Sequence, residues 1–372
     1  MAGRVIVAMS GGVDSSVAAL RLLRAGHEVQ GLYMSNWEED EEGYCASAED
    51  FQDARRVCEE LGIPLHRVSF ARQYRDQVFA HFLEEYAAGR TPNPDVLCNR
   101  EIKFGACLEY ARRLGAERFA TGHYARVEQR LDGVRLLRAA DRGKDQTYFL
   151  HAVGQEALAM TLFPIGDLQK SEVREIARAA GLPVFAKRDS TGICFIGERP
   201  FRRFLENYLP AQPGRIETDA GERIGEHAGL MFYTLGQRAG LGLGGRRGAR
   251  DAPWYVAAKD LARNVLVVVQ ETHHPLLMSG GFTAGPLRWI AGAPPAGRFD
   301  CRVQVRYRQA AEPCSVVMTD PGAVEVVLGR AQRAVTPGQY AVFYDGEACL
   351  GGGVIVAAEP AAHSAGARAA VV

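Results

Sequence analysis

Three groups of residues in this 372-residue chain have the types and spacing for chemistry. The first is Ser10-Gly11-Gly12-Val13-Asp14-Ser15, directly behind the apolar run Val5-Ile6-Val7-Ala8-Met9. Two adjacent glycines carry no Cβ, so their N–H groups can close on an anion, and Ser10 and Ser15 add hydroxyl donors. Val13, Val17, Leu20 and Leu23 recur at helical spacing and Gly26 suits the stop. The loop therefore opens onto a helix N-terminus, whose unpaired N–H groups favour negative charge. ATP is the first ligand such a loop calls for. It is not a Walker A loop, because no Lys-Ser or Lys-Thr follows the glycines.

The second group lies in Gly89-Arg90-Thr91-Pro92-Asn93-Pro94-Asp95-Val96-Leu97-Cys98-Asn99-Arg100. Pro92 and Pro94 stiffen the approach, and Pro94 suits a first helical turn, which places Asp95 and Cys98 one turn apart on one face. A carboxylate beside a thiol at a helix N-terminus is a plausible reactive pair. Simple base catalysis is nevertheless uphill. An Asp near pKa ~3.9 and a thiol near ~8.5 differ by about 4.6 units, roughly 6 kcal/mol. Asp95 must therefore be buried, act late or orient a substrate, and Cys98 must be ionised by the helix N-terminus or a basic neighbour. The third group, Asp189-Ser190-Thr191-Gly192-Ile193-Cys194-Phe195, reads as a turn-rich loop carrying a thiol. Free cysteines are often buried structural residues, so spacing alone leaves both readings of Cys98 and Cys194 open.

The elements that must position these groups alternate. Glu28 to Met34 reads as a strand and Ser47 to Leu61 as a helix opened by Ser47-x-x-Asp50. Leu65 to Phe70 reads as a strand, and Val78 to Tyr86 belong to a helix. A helix through Phe104, Leu108 and Ala111 follows, then a strand near Arg118 to Ala125 containing Thr121-Gly122-His123, and a last helix through Val173, Ile176, Ala177 and Ala180. This order predicts an α/β fold: a doubly wound parallel sheet with its ligands at the carboxyl ends of the strands. Beyond about residue 203 the texture turns to glycine, proline and short β runs. The expected division is a nucleotide-binding α/β domain over 1–203, a small connecting domain over 204–278, a C-terminal β-barrel over 279–358 and a disordered tail over 359–372. Arg302, Arg306 and Arg308 are expected on one strand face. Gly240-Leu241-Gly242-Leu243-Gly244-Gly245 matches a dinucleotide fingerprint in letters only, since Arg246, Arg247 and Pro253 follow where a helix should start.

Composition bounds the rest. Forty-four basic and 44 acidic side chains cancel, so any nucleic-acid contact must be local. No run approaches 18 apolar residues and no secretory h-region follows Arg4, so a cytoplasmic protein without membrane contact is expected. Eight cysteines without a Cys-x-x-Cys pair argue against a zinc ribbon, and most should be buried, inert thiols.

Ser-Gly-Gly-x-Asp-Ser resembles the PP-loop of the ATP pyrophosphatases, which cleave ATP to AMP and pyrophosphate. The resemblance then narrows. Asn36-Trp37-Glu38-Glu39-Asp40, Gly89 to Lys103, Ala120-Thr121-Gly122-His123-Tyr124, Lys144 to Leu150, Gly192 to Glu198, Thr234 to Arg238, Arg306-Tyr307-Arg308-Gln309 and Thr336-Pro337-Gly338-Gln339 resemble the bacterial tRNA-specific 2-thiouridylases. Ser35 departs from that pattern, where relatives carry lysine. The resemblance implies that Ala8, Met9, Ser10, Gly11, Gly12, Val13, Asp14, Ser15, Met34 and Gly122 bind ATP, with Mg²⁺ on its phosphates. It implies that Asn93, Pro94 and Asp95 surround an extruded uridine, that Cys98 is the nucleophile, and that Cys194 carries a persulfide and pairs with Cys98 in a transient disulfide. His123, Lys144, Asp145, Gln146, Arg306, Tyr307 and Gln339 would touch the tRNA. A sulfur-carrier protein or other persulfide donor is the second expected partner, and a monomer is expected. A PP-loop amide or amine ligase, which needs neither cysteine, and an RNA-binding protein with a regulatory nucleotide loop are the alternative readings.

Overall fold

The computed structural model describes residues 3–37, 46–188, 201–243, 252–320 and 322–361, and no side chain at 46 or 47. The chain opens with β1 (Arg4–Ala8), α1 (Val13–Arg24), β2 (Glu28–Ser35), α2 (Ala46–Leu61) and β3 (Leu65–Ser69). Helical segments over 71–87 and 94–113 lead to β4 (Arg118–Ala120), the hairpin β5 (Ala125–Arg130) and β6 (Gly133–Arg138), and β7 (Thr161–Leu162). The first sheet has the order β3-β2-β1-β4-β7 and is parallel throughout. Val5, Ile6 and Val7 are fully buried, as a central parallel strand covered on both faces requires. Strand order reverses at β1, which pairs with β2 on one side and β4 on the other. The crevice at the carboxyl ends of β1 and β4 is the place where such a sheet takes a ligand.

The middle sheet, in the order β10-β11-β8-β9, comprises β8 (Gly214–Thr218), β9 (Arg223–His227), β10 (Trp254–Asp260) and β11 (Val265–Gln270). The remaining strands are β12 (Met278–Trp289), β13 (Arg298–Gln304), β14 (Glu312–Asp320), β15 (Ala323–Arg333), β16 (Tyr340–Asp345) and β17 (Ala348–Pro360). Pairing of β12 with both β15 and β17 closes these six into a barrel. The α/β class, the parallel sheet and the C-terminal barrel are as the sequence predicts.

Several local expectations change. The strand expected over Arg118 to Ala125 ends at Ala120, and Ala125 starts a hairpin that leaves the first sheet and extends the barrel, with Leu136 opposite Cys349. Arg138 stacks over the Tyr344 ring at 3.6 Å, and Arg126 and Arg142 both reach Glu347. The arginine face is broken: β13 stops at Gln304, and Arg308 sits in a turn with φ 66°. Glu359 and Pro360, expected in a tail, pair with β12. Residues 362–372 lie outside the described residues, as do 189–200 and Gly244-Gly245 of the dinucleotide-like motif.

Candidate functional site

The loop between β1 and α1 is built as a cradle. Gly11 has φ 73°, and a Cβ there would lie 2.2 Å from the Asp50 carbonyl oxygen of α2. Gly12 is the N-cap of α1 and contributes no side-chain cap, so the helix presents its first N–H groups to the crevice. Ser15 Oγ donates to the Gly12 carbonyl at 3.1 Å and accepts from Ser10 N–H at 3.2 Å, which fixes both serines. Gly122, just past β4, closes the other wall. A Cβ on it would come within 2.6 Å of Ser15 N and 2.8 Å of the Asp14 carbonyl carbon. These glycines leave the room, and α1 the donors, that a polyphosphate needs.

Sequence reasoning missed the partners of Asp14. Lys170, at the start of a helix 156 positions downstream, donates to both carboxylate oxygens at 2.7 and 2.8 Å, and Tyr124 OH donates to one at 2.9 Å. The only local signal was the capping box Gln169–Glu172, which marks the helix start but not its target. Lys170 brings a cation to the phosphate loop without a Walker lysine.

The second wall carries Asp95 and Cys98. Asn93 caps its helix by accepting from Asp95 N–H at 3.2 Å, with Pro94 in the first turn. From Cys98 to Cys107 the winding is π-helical, an irregularity common at functional sites. Cys98 is buried, and Asn36, one residue beyond β2, points its Nδ2 at Cys98 Sγ from 4.0 Å. The thiol therefore lies at the carboxyl edge of the sheet, on the side where the nucleotide loop opens. Burial pushes the Asp95 carboxyl above its ordinary range, partly countered by Lys103. That meets the condition the energetics imposed, since a raised carboxyl is a better proton acceptor. The same Lys103, with burial as the larger cause, holds His123 neutral far below its usual pKa.

The residues implied for tRNA contact divide. Lys144 and Gln146 are half-buried near the loop, with Gln146 accepting from Tyr124 N–H. Tyr307 packs on Phe149 at 4.3 Å, and the Phe149 carbonyl accepts from Asn99 Nδ2 at 3.3 Å, so this surface adjoins the Cys98 helix. His123 is buried between Phe104 and Phe163, with Nδ1 on Thr121 Oγ1 at 2.8 Å. Asp145 is buried in a cage of Arg138, Thr147 and the Ala139 N–H. Arg306 donates to Leu235 O and Thr336 Oγ1, both at 2.7 Å. Gln339 donates to the Thr91 carbonyl at 2.7 Å. These four side chains face inward and hold loops together. Cys194 lies outside the described residues. Cys58, Cys107 and Cys349 are buried, and burial pushes each thiol up to about 12, as expected of inert thiols.

A parallel sheet with an uncapped helix N-terminus behind Ser-Gly-Gly-x-Asp-Ser at its switch point defines a nucleotide-binding protein of the PP-loop class. The family model described as "tRNA methyl transferase HUP domain" matches residues 3–198, the "tRNA methyl transferase PRC-barrel domain" residues 202–270 and the "Aminomethyltransferase beta-barrel domain" residues 279–355. The chain is 60% identical over 353 residues to the tRNA-specific 2-thiouridylase MnmA of Chromohalobacter salexigens, covering 95% of this chain and 92% of that one. It is 59% identical over 356 residues to the protein of the same name from Xanthomonas euvesicatoria, covering 96% and 94%. Among solved structures, a 4-thiouridine synthetase–RNA complex with bound ATP overlaps at 16% identity and TM-score 0.34, covering 56% of this chain and 50% of that chain. The chain belongs to the tRNA-specific 2-thiouridylase family.

Proposed function

We propose that this protein replaces the C2 oxygen of a tRNA wobble uridine with sulfur, consuming ATP. The observation that supports it best is the placement of Cys98 beside Asn36 at the carboxyl edge of the parallel sheet, the same edge from which the Ser10–Ser15 loop leaves β1. A ligase that attacks with ammonia would not need that thiol. Ala8 to Ser15, Met34 and Gly122 hold ATP, whose phosphates carry Mg²⁺. The uridine enters beside Asn93, Pro94 and Asp95 after leaving its stack. His123, Lys144, Asp145, Gln146, Arg306, Tyr307 and Gln339 form or brace the tRNA-binding side.

The uridine O2 attacks the α-phosphorus of ATP and pyrophosphate departs, so a poor leaving group becomes AMP. The N3 proton is lost in forming this imidate, and Asp95 either receives it, which its raised pKa favours, or orients the base. A persulfide sulfur on Cys194, supplied by a sulfur-carrier protein, attacks C2 and expels AMP. Cys98 thiolate then attacks the Cys194 sulfur, which breaks the S–S bond, leaves sulfur on C2 and forms a Cys98–Cys194 disulfide; if Cys98 attacks before the persulfide reaches C2, the same disulfide forms and the freed hydrosulfide attacks C2. A cellular thiol must reduce that disulfide before the next cycle. Mass spectrometry of tRNA incubated with enzyme, ATP and a persulfide-bearing sulfur donor should show one oxygen-to-sulfur exchange at the wobble base. Cys98→Ser and Cys194→Ser should abolish the exchange with ATP and tRNA binding near normal; thiolation retained by both variants rules out the persulfide route.

A further inference from the structure

We infer that Lys259, a residue of the middle sheet, is a positioning residue for the loop that presents Asn93, Pro94 and Asp95. This rests on the reading of that loop as the target-base site. Lys259 reaches out of β10 and its Nζ donates to the Gly89 carbonyl at 2.8 Å. Among the described residues no carboxylate forms an ion pair with it. The nitrogen is shielded enough that burial alone pushes its pKa down to about 8. Shielding an ammonium whose described partner is a carbonyl is costly, and a packed apolar side chain would avoid the cost. What lysine supplies here is a directed, charge-assisted hydrogen bond from the middle sheet to one point of the loop.

That point is where the loop begins. Gly89 follows the helical segment 71–87 with φ 74°, and the Leu261 methyl carbon would lie 2.6 Å from a Cβ on it, so β10 and the chain just after it hold this residue from two sides. The next residues are held as well. Thr91 N–H donates to the Pro337 carbonyl at 3.2 Å, Gln339 Nε2 donates to the Thr91 carbonyl at 2.7 Å, and the Thr91 and Thr234 hydroxyls are 3.3 Å apart. Arg90 is fixed by both oxygens of Glu85. The four residues before Asn93 thus take their shape from the preceding helix, the middle sheet and the barrel, and they set where the helix carrying Asp95 and Cys98 starts. Lys259 is the middle sheet's charged contact in this clamp, far in sequence from every residue of the reaction.

The test compares Lys259→Met and Lys259→Arg in the full chain by hydrogen exchange and steady-state kinetics. A charged hydrogen bond contributes about 1.5–3 kcal/mol, so Lys259→Met should raise amide exchange over 88–98 at least about tenfold, with the α1 and barrel peptides unchanged. It should raise KM for tRNA by about tenfold with ATP affinity unchanged, and Lys259→Arg should restore both. Unchanged exchange over 88–98 in Lys259→Met, or a rise spread equally over the whole chain, overturns the inference. Exchange is read without turnover, so a wild-type protein that makes no thiouridine defeats the proposed reaction while leaving the clamp to be judged on its own.

Discussion

Replacing Gly122 by alanine is the sharpest probe of the nucleotide cradle. A Cβ at 122 would stand 2.6 Å from Ser15 N, 2.8 Å from the Asp14 carbonyl carbon and 3.0 Å from Ser15 Cα, whereas ordinary contact begins at 3.4 Å. All three atoms are backbone in the first turn of α1, so no side chain can rotate away. The helix start or the strand end must move by several tenths of an ångström. Such overpacking costs about 1–3 kcal/mol of stability. The larger effect is on ATP, because the displaced amides are those aimed at its phosphates. Loss of one charge-assisted hydrogen bond, about 1.5–3 kcal/mol, weakens ATP binding roughly 10- to 150-fold. Isothermal titration with ATP and urea unfolding measure the two effects separately. Gly297→Ala is the control, since a Cβ there meets no atom within 4 Å. If Gly122→Ala binds ATP as wild type does, the cradle is not where the phosphates sit.

His151 gives a pH test. It is buried with Nδ1 on the Tyr148 carbonyl at 2.7 Å, and burial, aided by Arg100, lowers its pKa to about 4 against the Tyr148 bond. Its folded pKa lies below the unfolded value near ~6.5, so its contribution is complete above that value and is lost as pH falls toward 4, about 2 kcal/mol by pH 5. Urea unfolding at pH 7.5 and 5.0 should show that loss, and His151→Gln should reduce it by about the same amount; an identical loss in the variant excludes His151 as its source. Asp145→Asn tests the inward-facing role: unpairing half-buried Arg138 from buried Asp145 should cost about 3 kcal/mol in unfolding free energy. A variant of normal stability with raised KM for tRNA would instead make Asp145 a direct contact.

What could be read from the chain was local. The strand, the Ser10–Ser15 loop and α1 fall within one short stretch, so glycine geometry and helical spacing specify them together. Asn93 and Pro94 announce a helix start because capping is settled between neighbours. Strands with near-continuous apolar character, such as β1 and β11, were also legible. β12 was not, because Gly280, Gly281, Gly285 and Pro286 interrupt its strand pattern. In the barrel those glycines are required by close backbone approach: a Cβ on Gly281 would lie 2.7 Å from the Val326 carbonyl oxygen.

Tertiary structure decided which distant residues share the site. Lys170 neutralises Asp14 across 156 positions, Lys259 grips Gly89 across 170, and Gln339 grips Thr91 across 248. No periodicity records such pairs, because each is a polar side chain whose partner exists only once separate sheets have packed. It also turned His123, Asp145 and Arg306 inward, where their hydrogen bonds brace loops. The sequence by itself determined that a glycine-rich loop and a Cys98 helix are present; packing determined that they stand at one edge of the sheet, and which cations and carbonyls hold them there.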